Sequence, residues 1–158
     1  MQIRAYEPAD AARLALLFFA SVRIGGLRDY SPAQVAVWAP AVPDPARVDA
    51  RARDGRCVMV AVNAASESVA YGELEANGHI DHLYCHPDVI GTGVASALYD
   101  CLERTAREQG LTRLFTEASE AARRLFLRKG FTEIARQDFL RHGVPIHNYR
   151  MEKRLSAG

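Results

Sequence analysis

Only three cysteines occur in the 158 residues, Cys57, Cys85 and Cys101, and no two of them are spaced CxxC. An odd number at such spacings excludes a disulfide framework and predicts reduced thiols in a cytoplasmic setting. An excess of one charge is also missing, since 20 Lys and Arg stand against 19 Asp and Glu, a net charge of +1. Nothing in that balance calls for a nucleic-acid or membrane partner. Long apolar runs are absent too. The stretch LALLFFASV is too short to span a bilayer, and no charged-then-apolar leader opens the chain. There is no internal repeat, low-complexity tract or linker. What is present is 49% hydrophobic and 25% charged residues, the composition of a soluble globular protein, in a length able to bury one core. A single domain over residues 1–158 is expected.

Turn and cap residues divide that chain. QIRAY reads as a short strand, and Glu7-Pro8-Ala9-Asp10 opens an apolar-periodic helix to about Val22. Ser31-Pro32-Ala33-Gln34 is a capping box starting a second helix to about Ala39, and Asp44-Pro45 starts a third that Gly55 closes. CVMVAVN, SVAYGELE and HIDHLYC are strand-length runs separated by polar turns, which predicts an antiparallel meander. From Gly93 the period becomes helical, with Val94, Ala97, Leu98, Cys101, Leu102 and Thr105 on one face and Gly110 as the stop. RLFTEAS is another strand, Ser119 caps EAARRLFLRK, and Gly130 suits a left-handed C-cap. Two strands, about 131–140 and 145–155, complete the order βααα-βββ-αβ-αββ. That order predicts an α/β sheet of mixed strand directions, with the strands flanking the 93–110 helix parallel.

The densest chemistry lies in HIDHLYCHPDVIGTGVA, residues 79–95. Three histidines, an aspartate and a cysteine suggest a metal site. On a strand, however, His82 and His86 stand about 13 Å apart, beyond the reach of one ion. Alternation sends His79, Asp81, Leu83 and Cys85 to one face and His82, Tyr84 and His86 to the other. No metal is expected. VIGTGVAS then brings two glycines into a helix N-terminus, where free N–H groups favour a phosphate. A dinucleotide fingerprint is disfavoured, because Ser96 replaces its third glycine and Pro87-Asp88 breaks the strand before the loop.

The run IDHLYCHPDVIGTGVASAL resembles the acetyl-CoA motif of the GNAT superfamily of N-acetyltransferases: a Leu-x-Val-like triplet, x-Pro-x, then Arg/Gln-x-x-Gly-x-Gly/Ala. A second match is A-x-x-L-F-x-x-x-G-F at Ala122–Phe131, and the order of elements fits over essentially the whole chain. The segments DYSPAQVAVWAP and NYRMEKRL also look like an uncharacterised bacterial branch of that superfamily.

The resemblance implies a mixed, mostly antiparallel twisted sheet. Its parallel central pair is splayed to hold CoA, with helices on both faces. It implies acetyl-CoA as cosubstrate, and acetyl transfer to a primary amine by direct attack in a ternary complex. Carried over residue by residue, the cofactor site comprises Leu83, Tyr84, Cys85, Ile90, Gly91, Thr92, Gly93, Val94, Ala95, Ser96, Ser119 and Phe126. The backbone N–H of Cys85 falls where the thioester carbonyl is polarised. Deprotonating the amine needs a base, for which Asp81, His79 and Glu73 are the candidates. Tyr30, Trp38 and Asn148 are expected at the acceptor, a small-molecule or protein amine, in a monomer or homodimer. Two positions depart from the family pattern: Ile90 replaces the usual Arg or Gln, and Phe126 the tyrosine that protonates the leaving thiolate. These keep open an alternative, a catalytically degenerate acyl-CoA-binding or sensing module.

Overall fold

The computed structural model describes residues 1–156. Its strands and helices follow the predicted order: β1 Gln2–Ala5, α1 Ala11–Arg23, α2 Pro32–Trp38, α3 Pro45–Ala52, β2 Cys57–Val62, β3 Ser68–Leu74, β4 Ile80–Cys85, α4 Val94–Glu108, β5 Arg113–Ala118, α5 Glu120–Arg128, β6 Thr132–Arg141 and β7 Val144–Arg154. The first predicted helix starts later than its proline. Pro8–Asp10 form a 3-10 turn with its own capping box, and the α-helix begins at Ala11. At α2 the Ser31 hydroxyl accepts from the Gln34 N–H at 3.1 Å, while the Gln34 side chain accepts from the Ser31 N–H at 2.9 Å. Two otherwise unpaired donors are satisfied there reciprocally.

Amphipathic pattern becomes packing in α4. Val94, Leu98, Tyr99, Leu102 and Ala106 are buried and Cys101 and Thr105 flank that stripe half-buried, whereas Ala97, predicted on the same face, is exposed. Full burial of Leu98 and Leu102 stabilises the fold by about 1.5–3 kcal/mol each. This helix covers one face of β2, β3 and β4, whereas α1 packs on the other face of β3 and β4.

Strands β1-β2-β3-β4 form an antiparallel sheet, and β5-β7-β6 form a second. The predicted parallel relation of β4 and β5 survives only at one bridge, His79 to Phe115. The Phe115 N–H donates to the Gly78 carbonyl at 3.1 Å, and the Thr116 hydroxyl to the Ile80 carbonyl at 2.8 Å. Gly78 is required at this junction: its φ is +95°, and a Cβ would collide with the Arg113 carbonyl oxygen. Beyond Ile80 no described strand pairs with the free edge of β4, so the two sheets part in a V.

Candidate active site

The open edge of β4 follows from ladder parity. Tyr84 pairs with Tyr71, and the His86 N–H donates to the Val69 carbonyl at 2.8 Å, so these residues turn their backbone toward β3. The alternate residues, Leu83 and Cys85, present N–H and C=O to the gap where β5 has diverged. A narrow slot of about 30 Å³ lies in that gap, with Leu83, Thr116, Ala118, Ala122 and Phe126 in its walls. It adjoins a cavity of about 320 Å³, because Trp38, Asp81, Tyr84, Glu117 and Ser119 line both.

A β-bulge corrects the strand alternation read from residues 79–86. Gly72 pairs with Leu83 but Leu74 with Ile80, so Asp81 and His82 together stand opposite Glu73. The extra residue reverses the facing of everything after it. Ile80, Leu83 and Cys85 pack toward α4, among Leu102, Val94 and Leu98. His82 and Tyr84 therefore join His79 and Asp81 on the α1–α3 face instead of opposing them.

That face carries the titratable cluster. Arg56 donates to Glu73 at 2.7 Å and to Asp81 at 3.0 Å, and Arg51 bonds both carboxylates. Burial opposes ionisation of Asp81, but the neighbouring arginine charges outweigh it and hold its carboxyl below the ordinary range. Burial likewise disfavours a charged His79. It is outweighed by Glu75 at 2.6 Å and Glu117 at 2.7 Å, which hold the imidazole above its usual pKa. His79 thus bonds carboxylates through both nitrogens and lies off the cavity wall. Glu73, 5% exposed, sits behind that wall under its two arginines. Glu75, His79 and Asp81 do bring ligand atoms within 4.8 Å of one another. These groups are also linked in an ion network, His79 to Glu75 and Glu117 and Asp81 to Arg51 and Arg56.

His82 differs from the three predicted bases. Its ring stacks on Phe18 with centroids 5.5 Å apart, and Nδ1 lies 3.0 Å from the Tyr71 hydroxyl and 3.4 Å from Glu73. Nε2 has no hydrogen-bond partner among the described residues, and the ring forms part of the cavity wall. Burial first, then the charges of Arg51 and Arg56, pushes its pKa below the ordinary histidine value despite the nearby carboxylates. Sequence reading missed this residue because strand periodicity carries no signal for a bulge.

The glycine turn lies at the start of α4. Gly91 and Gly93 have φ of +82° and +86°, and a Cβ on either would meet open space. Backbone conformation rather than crowding demands glycine there. The N–H groups of Val94, Ala95 and Ser96 head the helix, where the intrahelical ladder has no acceptor for them. Thr92 folds back on the loop, its hydroxyl donating to the Val89 carbonyl at 2.6 Å. Ile90 is 52% exposed and leans toward Gly25. At α5, three basic side chains are engaged in ion pairs: Arg123 with Glu133, Arg124 with Asp29 and Lys129, just past the helix, with Asp100.

Among the residues expected at the acceptor, Trp38 and Asn148 line the cavity. Tyr30 does not. It is 6% exposed in the core with Val22 and Val35, and its hydroxyl donates to the His147 carbonyl and accepts from the Glu120 N–H. Ser119 caps α5 at the slot, accepting from the Ala122 N–H at 3.2 Å. Phe126 is 1% exposed, its ring held by Tyr99 and Phe131. Phe18 and Arg141, not singled out in the sequence, also line the cavity, brought in by α1 and by the β6–β7 hairpin.

Comparison with known proteins agrees with this geometry. A family model described as acetyltransferase (GNAT) domain matches residues 26–153. The uncharacterized N-acetyltransferase YafP of Escherichia coli (strain K12) is 30% identical over 152 residues, covering 96% of this chain and 94% of YafP. A GCN5-related N-acetyltransferase from Rhodopseudomonas palustris superposes with a TM-score of 0.87 at 34% identity, over 98% of this chain and 95% of that one. The structure of YncA from Salmonella typhimurium with its cofactor acetyl-CoA reaches 0.78 at 21% identity, over 99% and 94% of the two chains, a likeness of fold.

Proposed function

The chain belongs to the GNAT acetyltransferase family, and from that premise we propose that it moves an acetyl group from acetyl-CoA to a primary amine by direct attack in a ternary complex. Acetyl-CoA supplies the activated acyl group. The residues that fit it are the positive-φ glycine turn and free α4 N–H groups for pyrophosphate, and the unpaired Leu83–Cys85 edge for the pantetheine arm. In this reading the Cys85 N–H polarises the acyl carbonyl. A donor fixed in a water-poor slot strengthens as negative charge develops on that oxygen.

The observation that carries the proposal is the half-buried His82 imidazole, its Nε2 without a partner among the described residues, in the wall of a cavity that shares its lining with the slot; burial penalises the charged form and favours the neutral ring. Most alkylamines are protonated near neutral pH, so a base must take a proton before the nitrogen can attack. With its own proton on Nδ1, facing the Tyr71 oxygen and Glu73, His82 offers Nε2 to the amine, directly or through water. Glu73 then stabilises the imidazolium, and Arg51 and Arg56 keep Glu73 and Asp81 in place. Asp81 and His79 serve in this scheme as network members, since the side chains of both are already engaged by oppositely charged partners. No hydroxyl stands at position 126, so the thiolate, a good leaving group, departs without a tyrosine acid.

Mixing the protein with acetyl-CoA and a panel of primary amines, and following thiol release, tests the proposal. Amine-dependent release is expected with at least one acceptor. The buried Phe126 favours a second reading, an acyl-CoA-binding module. Tight CoA binding with no turnover on any amine would support that reading instead.

A further inference from the structure

The acceptor cavity contains an imbalance of charge. Both carboxylates in its wall already have partners: Asp81 accepts from Arg51 and Arg56, and Glu117 lies 2.7 Å from His79 Nε2. His147 is likewise occupied, its Nε2 lying 2.6 Å from Glu120. Arg141, at the end of β6, pairs with no carboxylate among the described residues, so it is an unpaired cation in the lining. At the inner end the Asn148 side-chain oxygen is buried with no hydrogen-bond partner in the described residues. A buried carbonyl oxygen without a donor is costly, so its partner is expected to arrive with a ligand. Between these two groups the walls are Phe18, Trp38, Tyr84, Phe139 and Ile146, which are apolar or aromatic.

Resting on the acetyltransferase reading above, we propose that the acceptor is a primary amine carrying a carboxylate at its far end across an apolar or aromatic body. Arg141 holds the carboxylate and Asn148 accepts an N–H of the amine beside His82. Separation of the two ends follows from the strand register. Arg141 stands opposite Val144, and Asn148 lies four residues farther along β7, so the anchors are about 13 Å apart along the strand before the arginine stem shortens the span. An α-amino acid, with both charges on one carbon, cannot meet both.

Three probes separate these classes: 4-(2-aminoethyl)benzoate, its parent 2-phenylethylamine, and phenylalanine. Thiol release with acetyl-CoA should give kcat/KM about fivefold higher for the benzoate than for the parent, the upper end for a solvent-facing ion pair. Phenylalanine should show no such gain. In R141A the ratio should fall to about one, and in R141E below one. In N148L both amines should lose at least about tenfold while their ratio persists, because a hydrogen bond shared by the two is removed. Turnover on both amines at a ratio near one, or a ratio that survives in R141A, overturns the inference and leaves the acetyltransferase reading standing. No thiol release with any amine overturns both.

Discussion

Replacing His82 with glutamine keeps a polar side chain of similar reach and removes the titrating nitrogen. The fold should tolerate it. His82 loses its stack on Phe18, worth about 0.5–1.5 kcal/mol, against a total stability on the order of 5–15 kcal/mol for a domain. A positioned general base contributes about 10²–10⁴-fold. The lower end applies here, because Asp81 shares the bulge and the cavity wall and can relay a proton through water at reduced efficiency. The expected fall in kcat is therefore about 100-fold, or about 2.7 kcal/mol in the barrier. KM for acetyl-CoA should stay constant, since the glycine turn and the Leu83–Cys85 edge are separate from the imidazole. Steady-state thiol release with the best acceptor measures both constants, and far-UV circular dichroism checks the fold. A second signature comes from pH. The native enzyme should lose kcat/KM as pH falls through a value below about 6.5, the ordinary histidine pKa, because protonated His82 cannot accept a proton. The variant should lack that limb. An H82Q enzyme within threefold of native kcat, with the acidic limb unchanged, would refute the assignment and return the role to Asp81.

His82 should also make folding stability depend on pH. Its folded-state pKa lies below the unfolded one, so the unfolded chain binds more protons between the two values and stability falls as pH drops below about 6.5. Urea midpoints at pH 7.5 and 5.5 should differ more in the native protein than in H82Q. Phe126→Ala should cost about 3–5 kcal/mol in urea unfolding, because the ring is 1% exposed and packed against Tyr99 and Phe131. Gly78→Ala combines a positive φ with a backbone collision beside the His79–Phe115 bridge between the sheets, and should cost at least about 1–3 kcal/mol while weakening acetyl-CoA binding. A change under 0.5 kcal/mol at either position would contradict the packing described.

Local chemistry made the elements legible. Ser31 and Gln34 specify the start of α2 within four residues, and the spacing of Val94, Leu98 and Leu102 specifies a buried helical face without reference to any partner. The glycine turn was legible for the same reason, since Gly91 and Gly93 take up left-handed conformations that few other residues tolerate. Trp38 and Asn148 could be placed near the acceptor only as expectations. Tyr30 shows the limit: its neighbours along the chain resemble those of Trp38, yet contacts 90 and 117 residues away draw its hydroxyl into the core.

By itself, then, the sequence determined the order of elements, the family, and the stretch 79–95 as the centre of the chemistry, because caps, periodicity and glycine conformations are encoded within a few residues. Tertiary structure alone decided which side chain stands free in that stretch. The bulge opposite Glu73 depends on how β3 and β4 register, and the engagement of Asp81 and His79 depends on Arg51, Arg56 and Glu117 arriving from other elements. Burial by α1 and β3 sets the protonation of His82. Facing and electrostatics are properties of the assembled sheet, so a one-residue shift in register turned an apparent bystander into the candidate base.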